Sequence, residues 1–363
     1  MKTCVFIVPQ LSQPRCIKRI KSIYDAGIPI KVYGFDRGLY SENIANIPFP
    51  VERIIVYPGK NKFSRLFFII KTIRNIIRTN KKDSVFYLFS FEVAYYATMM
   101  GCKNYIYEEA DVSAVKKRFA WQRKYFLRKD RNLVQNAKLA IFTSQGFVEY
   151  IFGDKSPKNL MLLPNKLSPF FTDEKRDSLY KHEIDVNHLR FAFIGLVRYF
   201  RTILGFAKVV GEKFPQHEFH FYGDASNKEL LKFETEKYKN IYIHGAFSNP
   251  QDLEKIYSNV DINIVCYDPS SINVRIAEPN KLYESIYFRT PIVVSKETYL
   301  ERRVLELGIG TSIDCTKSED IESFIKSISI SDIDKYIKNM NSISSEQLID
   351  NADEIVFRIS EIL

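Results

Sequence analysis

The chain has 363 residues, 45% of them hydrophobic and 26% charged, so it reads as a soluble globular protein too long for one ordinary core, and two domains of similar size are expected. No apolar stretch can span a bilayer, the first apolar run (Cys4 to Pro9) is too short for a signal peptide, and the five scattered cysteines form no CxxC pair, so neither a disulfide framework nor a zinc site is suggested and the cytoplasm is expected. The net charge of +10 is uneven: residues 1–170 carry 29 Lys and Arg against 12 Asp and Glu (+17), and residues 171–363 carry 24 against 31 (−7).

In chain order, Cys4–Val8 reads as a strand. A helix over Arg15–Ala26 follows, with Ile17, Ile20 and Tyr24 at helical spacing and Gly27 as its cap. Ile30–Gly34 is a second strand and Ser64–Thr79 a charged amphipathic helix. Then come a strand at Ser84–Phe89, a helix at Glu92–Met100 and a strand at Tyr105–Glu108. One long basic helix is expected from Ala114 to Asn136. The strand Leu139–Thr143, the helix after Ser144 and the strand Asn159–Leu163 close the first series. Residues 169–188 are polar and poor in aliphatics and read as a linker.

A second alternation starts at Leu189. Its strands are Arg190–Ile194, Glu218–Tyr222, Ile241–His244, Ile262–Val265, Pro291–Val294 and Thr311–Asp314. Its helices are Leu204–Lys213, Lys228–Tyr238, Pro250–Ser258, Lys281–Phe288 and Tyr299–Leu307, then Ile321–Ile328, Asp332–Met340 and a last one from Glu346. Strands alternating with helices give parallel sheets, so the fold class is α/β, two Rossmann-like doubly wound domains with ligands at the carboxyl ends of the strands.

Three of the second-half strands end in glycine: Gly195, Gly223 and Gly245. After Gly195 come Arg198 and Arg201, just before a helix, where a guanidinium suits a phosphate; the alternative is two solvated surface arginines. Gly245-Ala246-Phe247 is small enough at its tip for a planar base to lie against the backbone, whereas Gly223 fits an ordinary strand end. Neither tip is a GxGxxG fingerprint. In EPNKLYESIYFRTPIVVS (278–295), Pro279 enters a helix, and Lys281 and Glu284 lie three apart on its first turn. That pair is either a clip for a ribose and a phosphate or an ordinary exposed ion pair. The five histidines (His182, His188, His217, His220, His244) show no metal-binding spacing, and no catalytic triad is evident.

Gly195 with its following arginines, the Gly245-x-Phe247 tip, LEKIYSNVDINIV (253–265) and PNKLYESIYFRTPIVVS, in that order, resemble the C-terminal domain of GT-B glycosyltransferases, and more narrowly the retaining, nucleotide-sugar-dependent enzymes called family four. RIKSIYDAGIPIKVY (19–33), AKLAIFTSQGFVEYI (137–151) and LLPNKLS (162–168) are similar to that family's first half, so the likeness covers nearly the whole chain. It implies two domains facing each other across a cleft: an acceptor-side domain of residues 1–168, completed by a C-terminal helix within 346–363, the linker 169–188, and a nucleotide-sugar domain of residues 189–345.

By the same resemblance, Glu284 takes the place of the second glutamate of an E-x7-E motif, which holds the ribose. The first glutamate would fall at Ile276, and Glu278 comes two residues late. Pro279-Asn280-Lys281 matches a P-x-K subgroup, which brings Lys281 to the diphosphate or ribose, with Arg198 or Arg201 offsetting diphosphate charge. A lysine that many members carry soon after that arginine is missing here; the nearest is Lys208. Where the family has a histidine at a strand tip near the donor sugar, this chain reads Tyr107-Glu108-Glu109-Ala110-Asp111, acids that either bind sugar hydroxyls and serve as a base or form a solvated loop. The implied reaction is transfer of a sugar from a nucleoside diphosphate, with retention, to a glycan or lipid-diphosphate-linked acceptor in surface polysaccharide synthesis, with no metal and no further cofactor.

The stretch KKRFAWQRKYFLRKDR (Lys116 to Arg131) carries eight Lys and Arg and one acid, interleaved with Phe119, Trp121, Tyr125, Phe126 and Leu127. It suits an anionic membrane surface, and equally a packed helix with one solvated basic face. Phe63, Leu66 to Ile70 and Ile73, with Arg65, Lys71, Arg74 and Arg78, form a second such helix. Two other readings stand beside the enzyme: a degenerate GT-B binding or scaffold protein, which the missing first glutamate keeps open, and a basic nucleic-acid-binding protein, which no helix-turn-helix, RRM or zinc-finger pattern supports.

Overall fold

The structure is a computed structural model that describes residues 2–38, 47–56, 61–179 and 183–363; His182 lies outside them. The chain divides into two compact units, Met1–Pro164 with Asn351–Leu363, and Asn165–Asp350.

In the first unit, β1 (Thr3–Val8), β2 (Ile30–Asp36), β3 (Glu52–Ile55), β4 (Ser84–Phe89), β5 (Tyr105–Glu109), β6 (Leu139–Phe142) and β7 (Leu160–Leu162) form one parallel sheet in the order β3-β2-β1-β4-β5-β6-β7. The apolar run of β1 is continuous because it lies mid-sheet with both faces covered. One face carries helix Pro14–Asp25, whose Cys16, Ile20 and Ile23 pack with Cys4, Phe6 and Val8. The C-terminal helix Asp353–Ile362 joins the same core through Ile355 and Ile359. Right-handed crossovers from β3 onward carry helices Lys62–Thr79, Phe91–Met99 and Ala120–Asn136 to the other face.

The second unit repeats the plan with β8 (Arg190–Ile194), β9 (Glu218–Tyr222), β10 (Ile241–Gly245), β11 (Ile262–Val265), β12 (Ile292–Ser295) and β13 (Gly310–Ile313), parallel in the order β10-β9-β8-β11-β12-β13. In both sheets the order reverses beside the first strand of the unit, at β1/β4 and at β8/β11. The crevice at such a reversal is where ligands of doubly wound sheets bind.

The expected alternation of strands and helices is met, with local differences besides the added edge strand β3. The long basic helix over Ala114–Asn136 is broken: a 3₁₀ turn covers Ser113–Lys116 and the α-helix starts at Ala120. Arg123 holds the break by donating from Nη1 to the Lys117 and Arg118 carbonyls, each at 3.2 Å. A short helix Ile272–Ile276 precedes the Pro279 turn. The last helix is two pieces, Ser345–Leu348 and Asp353–Ile362. Within residues 169–188 lies helix Asp173–Asp177, whose Arg176 donates to the Ile343 and Met340 carbonyls at 2.6 and 2.8 Å and so belongs to the second unit.

Candidate functional site

The tips of β8, β9 and β10 are tied together in steps. Gly195 N donates to Tyr222 O, and Gly223 N to Gly245 O, both at 2.7 Å. A methyl group on Gly223 would stand 2.1 Å from the Gly195 carbonyl oxygen, so glycine is required there for the backbones to pass. Gly195 (φ 142°) lies against Lys281: a Cβ there would be in ordinary contact with the Lys281 Cε at 3.6 Å. Ala246 is exposed, and Phe247 packs partly into the core that holds Tyr222 and Leu253. A cavity of about 480 Å³ lies beside Gly223, Gly245 and Ala246, with Asp224 and Lys228 on its wall.

The Pro-Asn-Lys turn starts helix Lys281–Tyr287, every residue of which is buried. Burial, not exposure, is therefore the setting of the Lys281–Glu284 pair, which excludes the ordinary surface ion pair. Lys281 Nζ lies 2.5 Å from Glu284 Oε2, and the two side chains are 6% and 1% exposed. The same oxygen accepts from Tyr257 Oη at 2.9 Å, and Oε1 accepts from Asn280 Nδ2 at 2.6 Å. Burial and the Glu284 charge hold the Tyr257 hydroxyl well above its ordinary range, so it stays a donor. Below it, Asn263 Nδ2 donates to Ser285 Oγ at 2.9 Å and to Tyr257 Oη at 3.3 Å.

Arg198 and Arg201 are exposed and make no ion pair among the described residues. Arg198 lies over the Tyr199 ring at 5.2 Å, and that ring packs on Tyr267 at 4.9 Å. Burial, Tyr199 and Glu284 raise the Tyr267 hydroxyl while Arg198 lowers it, so Arg198 and Glu284 act on one spot. The π-helical turn Phe200–Leu204 that carries Arg201 is pinned by Thr202 Oγ1, which donates to Cys266 O at 2.5 Å.

Glu278 is drawn elsewhere. Tyr283 Oη donates to its Oε1 and Arg303 Nε to its Oε2, the latter at 3.1 Å. Ile276 ends the short helix before it. The structure thus brings together Gly195, Arg198, Asn280, Lys281 and Glu284, keeps Gly245 to Phe247 on the neighbouring strand tip, and leaves Glu278 on a separate ion pair.

In the first unit, Glu108 and Glu109 form neither a solvated loop nor a ligand-facing tip. Both are fully buried because β5 runs on through Glu109. Alternation along the strand sends them to opposite faces. Glu108 takes Tyr87 Oη and, at 3.3 Å, Arg19 Nε. Glu109 Oε2 accepts from Tyr107 Oη at 2.7 Å, and the same hydroxyl lies 3.0 Å from Asp130 Oδ1. Asp111 alone of the three acids is exposed, 3.7 Å from Lys116 Nζ. It borders a cavity of about 390 Å³ whose wall includes Arg15, Arg37, Ser90, Glu92, Leu66 and Ile69.

Sequence reasoning overlooked Tyr257, Asn263, Ser285 and Tyr267. One signal was present: Asn263 is the single polar residue in the buried run INIV. The partners of Glu108 and Glu109 had no such signal, since Arg19 is 89 residues away in the chain.

No protein-family model and no curated protein matches the chain. Solved structures do match it over nearly their whole length. HepE of Anabaena, crystallised with UDP and glucose, is similar over 99% of each chain at 15% identity and a TM-score of 0.68. Sucrose-phosphate synthase from Thermosynechococcus elongatus is similar over 100% of this chain and 98% of its own, at 13% identity and a TM-score of 0.69. WaaG, a glycosyltransferase involved in lipopolysaccharide biosynthesis, is similar over 95% of this chain and 97% of its own, at 13% identity and a TM-score of 0.65. The fold is GT-B, as the sequence resemblance implied.

Proposed function

We propose that the protein is a glycosyltransferase that moves a sugar, with retention, from a nucleoside-diphosphate donor to a glycan or lipid-linked acceptor in surface polysaccharide synthesis. The observation that carries this is the buried Lys281–Glu284 pair set against Gly195 at the β8/β11 reversal. An ammonium and a carboxylate at that depth cost desolvation and are strongly felt by any ligand that reaches them. Gly195 presents bare backbone beside Lys281, which a diphosphate can approach closely, with Arg198 and Arg201 as further cations. Asn280 and Lys281 occupy the Glu284 oxygens that a ribose diol would take, so donor binding turns Lys281 from carboxylate to phosphate and frees Glu284 for the ribose. The uracil or guanine of the donor lies against the Gly245–Phe247 backbone. A UDP complex of one structural neighbour and the involvement of another in lipopolysaccharide biosynthesis support this reading.

In the step itself the bond from the sugar's anomeric carbon to the diphosphate oxygen breaks, and the acceptor hydroxyl forms the new bond on the same face. Its proton passes to the departing phosphate oxygen. Such a reaction needs preorganised positive charge and positioning rather than a protein nucleophile. The proposal gives charge offset to Lys281, Arg198 and Arg201 and to no metal ion, and it gives Asp111 at the first unit's cavity to the acceptor side. Glu278, bound to Arg303 and Tyr283, is assigned to fixing the turn before Lys281.

The test is thermal stabilisation by UDP, GDP and their sugars, with and without EDTA. One nucleotide is expected to raise the melting temperature, equivalent to about 2.7 kcal/mol at a hundredfold excess over its Kd, with no effect of EDTA. Glu284→Gln and Lys281→Ala are expected to abolish the shift. No shift with any nucleotide sinks the enzyme reading. Ile276, standing where the family's first glutamate would be, favours a second reading, a GT-B protein that binds donor without turnover. A shift with UDP-sugar but no release of nucleoside diphosphate across a panel of acceptors would favour it.

A further inference from the structure

Two helices of the first unit each expose a stripe that no described residue covers. On helix Lys62–Thr79, Phe63, Phe67, Lys71, Arg74 and Arg78 follow one another at spacings of three and four, so they share one face. Phe63 is 85% and Phe67 71% exposed. On helix Ala120–Asn136, Trp121, Lys124, Tyr125 and Arg128 do the same, and Trp121 is 69% exposed. Helix Phe91–Met99 lies between and packs against both, with Phe91 against Phe126 at 5.5 Å and the Tyr95 and Tyr125 hydroxyls 3.4 Å apart. All three lie on the same face of the sheet. Helix Lys62–Thr79 contains no acid, and the one acid of Ala120–Asn136, Asp130, is fully buried. Exposed acids near these helices include Asp83, Glu92 and Asp111, and Asp111 faces Lys116.

We propose that this three-helix face docks on an anionic lipid bilayer, with Phe63, Phe67 and Trp121 inserted between head groups and Lys71, Arg74, Lys124 and Arg128 against them. Apolar groups that gain by leaving water and cations that gain by meeting negative charge are here interleaved on one surface, which is the composition of an interfacial helix. A nucleic-acid duplex would satisfy the cations through its phosphates and leave Phe63 and Phe67 in water. The cavity lined by Leu66 and Ile69 belongs to the same helix, so an acceptor carried by a lipid reaches it from this side. That last point rests on the transferase reading; the docking does not.

Trp121 is the chain's single tryptophan and reports directly. The full chain, without nucleotide or acceptor, is sedimented with vesicles of phosphatidylcholine alone or with phosphatidylglycerol added. Partition at least ~10-fold stronger to the anionic vesicles is expected, lost at high salt and accompanied by a shift of Trp121 emission to shorter wavelength. Phe63→Ser with Phe67→Ser, and separately Lys71→Glu with Arg74→Glu, should each lower partition about tenfold at an unchanged melting temperature. No partition, partition without the emission shift, or tight binding to an oligonucleotide with none to vesicles overturns the proposal. Since no nucleotide is present, such a failure leaves the donor site untouched, and loss of the nucleotide-induced melting shift leaves this proposal untouched.

Discussion

Glu109 and Asp130 place two carboxyls in one fully buried site around the Tyr107 hydroxyl. Burial raises both, Asp130 to about 6, and the Asp130 charge pushes Glu109 further up. The native state therefore keeps a proton that the unfolded chain gives up near pH 4, and stability falls as pH rises from about 4 to about 6. Asp130→Asn removes the share of that loss that Asp130 carries. Denaturant melts should show it stabilised at pH 7.5 by on the order of 2 kcal/mol, with a flatter profile from pH 4 to 6; an unchanged slope would contradict the raised pair. Letters alone could not reveal this. Two adjacent acids at the end of a short apolar run look like a loop, because the residues that accept them, Arg19 and Asp130, are placed by the sheet and not by local sequence. Glu284 and Lys281 were legible as a pair through their spacing, but their burial was not, since it depends on Tyr257 and Asn263 beneath them.

At the level of elements, the strand tips of the second unit differ in what they demand of their glycines. Gly223 combines φ 124° with the close Gly195 carbonyl, whereas a methyl group on Gly245 (φ 78°) would meet nothing within 4 Å. Gly223→Ala should cost on the order of 3 kcal/mol and weaken nucleotide-induced stabilisation, while Gly245→Ala should cost about 1 kcal/mol. Equal losses in paired thermal melts would show that the tips are not locked as described. Element order was readable from the alternation of apolar runs and amphipathic helices. The edge strand β3 was not, because three of its four residues are exposed and Ile54 is only partly buried, so it carries no buried apolar run. The break before Ala120 was hidden as well. No proline or glycine marks it, and the Arg123 guanidinium that takes up the freed carbonyls is a tertiary device.

For the whole molecule, chain length and the two alternating series gave the two-unit plan without any contact information. The fate of the last residues rests on packing instead. Ile355 and Ile359 are fully buried among Cys4, Phe6 and Cys16, so each cut to alanine should cost about 2–5 kcal/mol. Hydrogen exchange should place that loss in β1 and helix Pro14–Asp25 and spare β8 to β13; uniform loosening would contradict the division. The same helix governs the order in which the protein can be completed. Residues 165–350, a unit with its own sheet and cores, are synthesised before residues 353–362. The unit that is synthesised first is thus finished last, and until then it waits with an open hydrophobic seam along helix Pro14–Asp25, the segment a nascent-chain chaperone would meet.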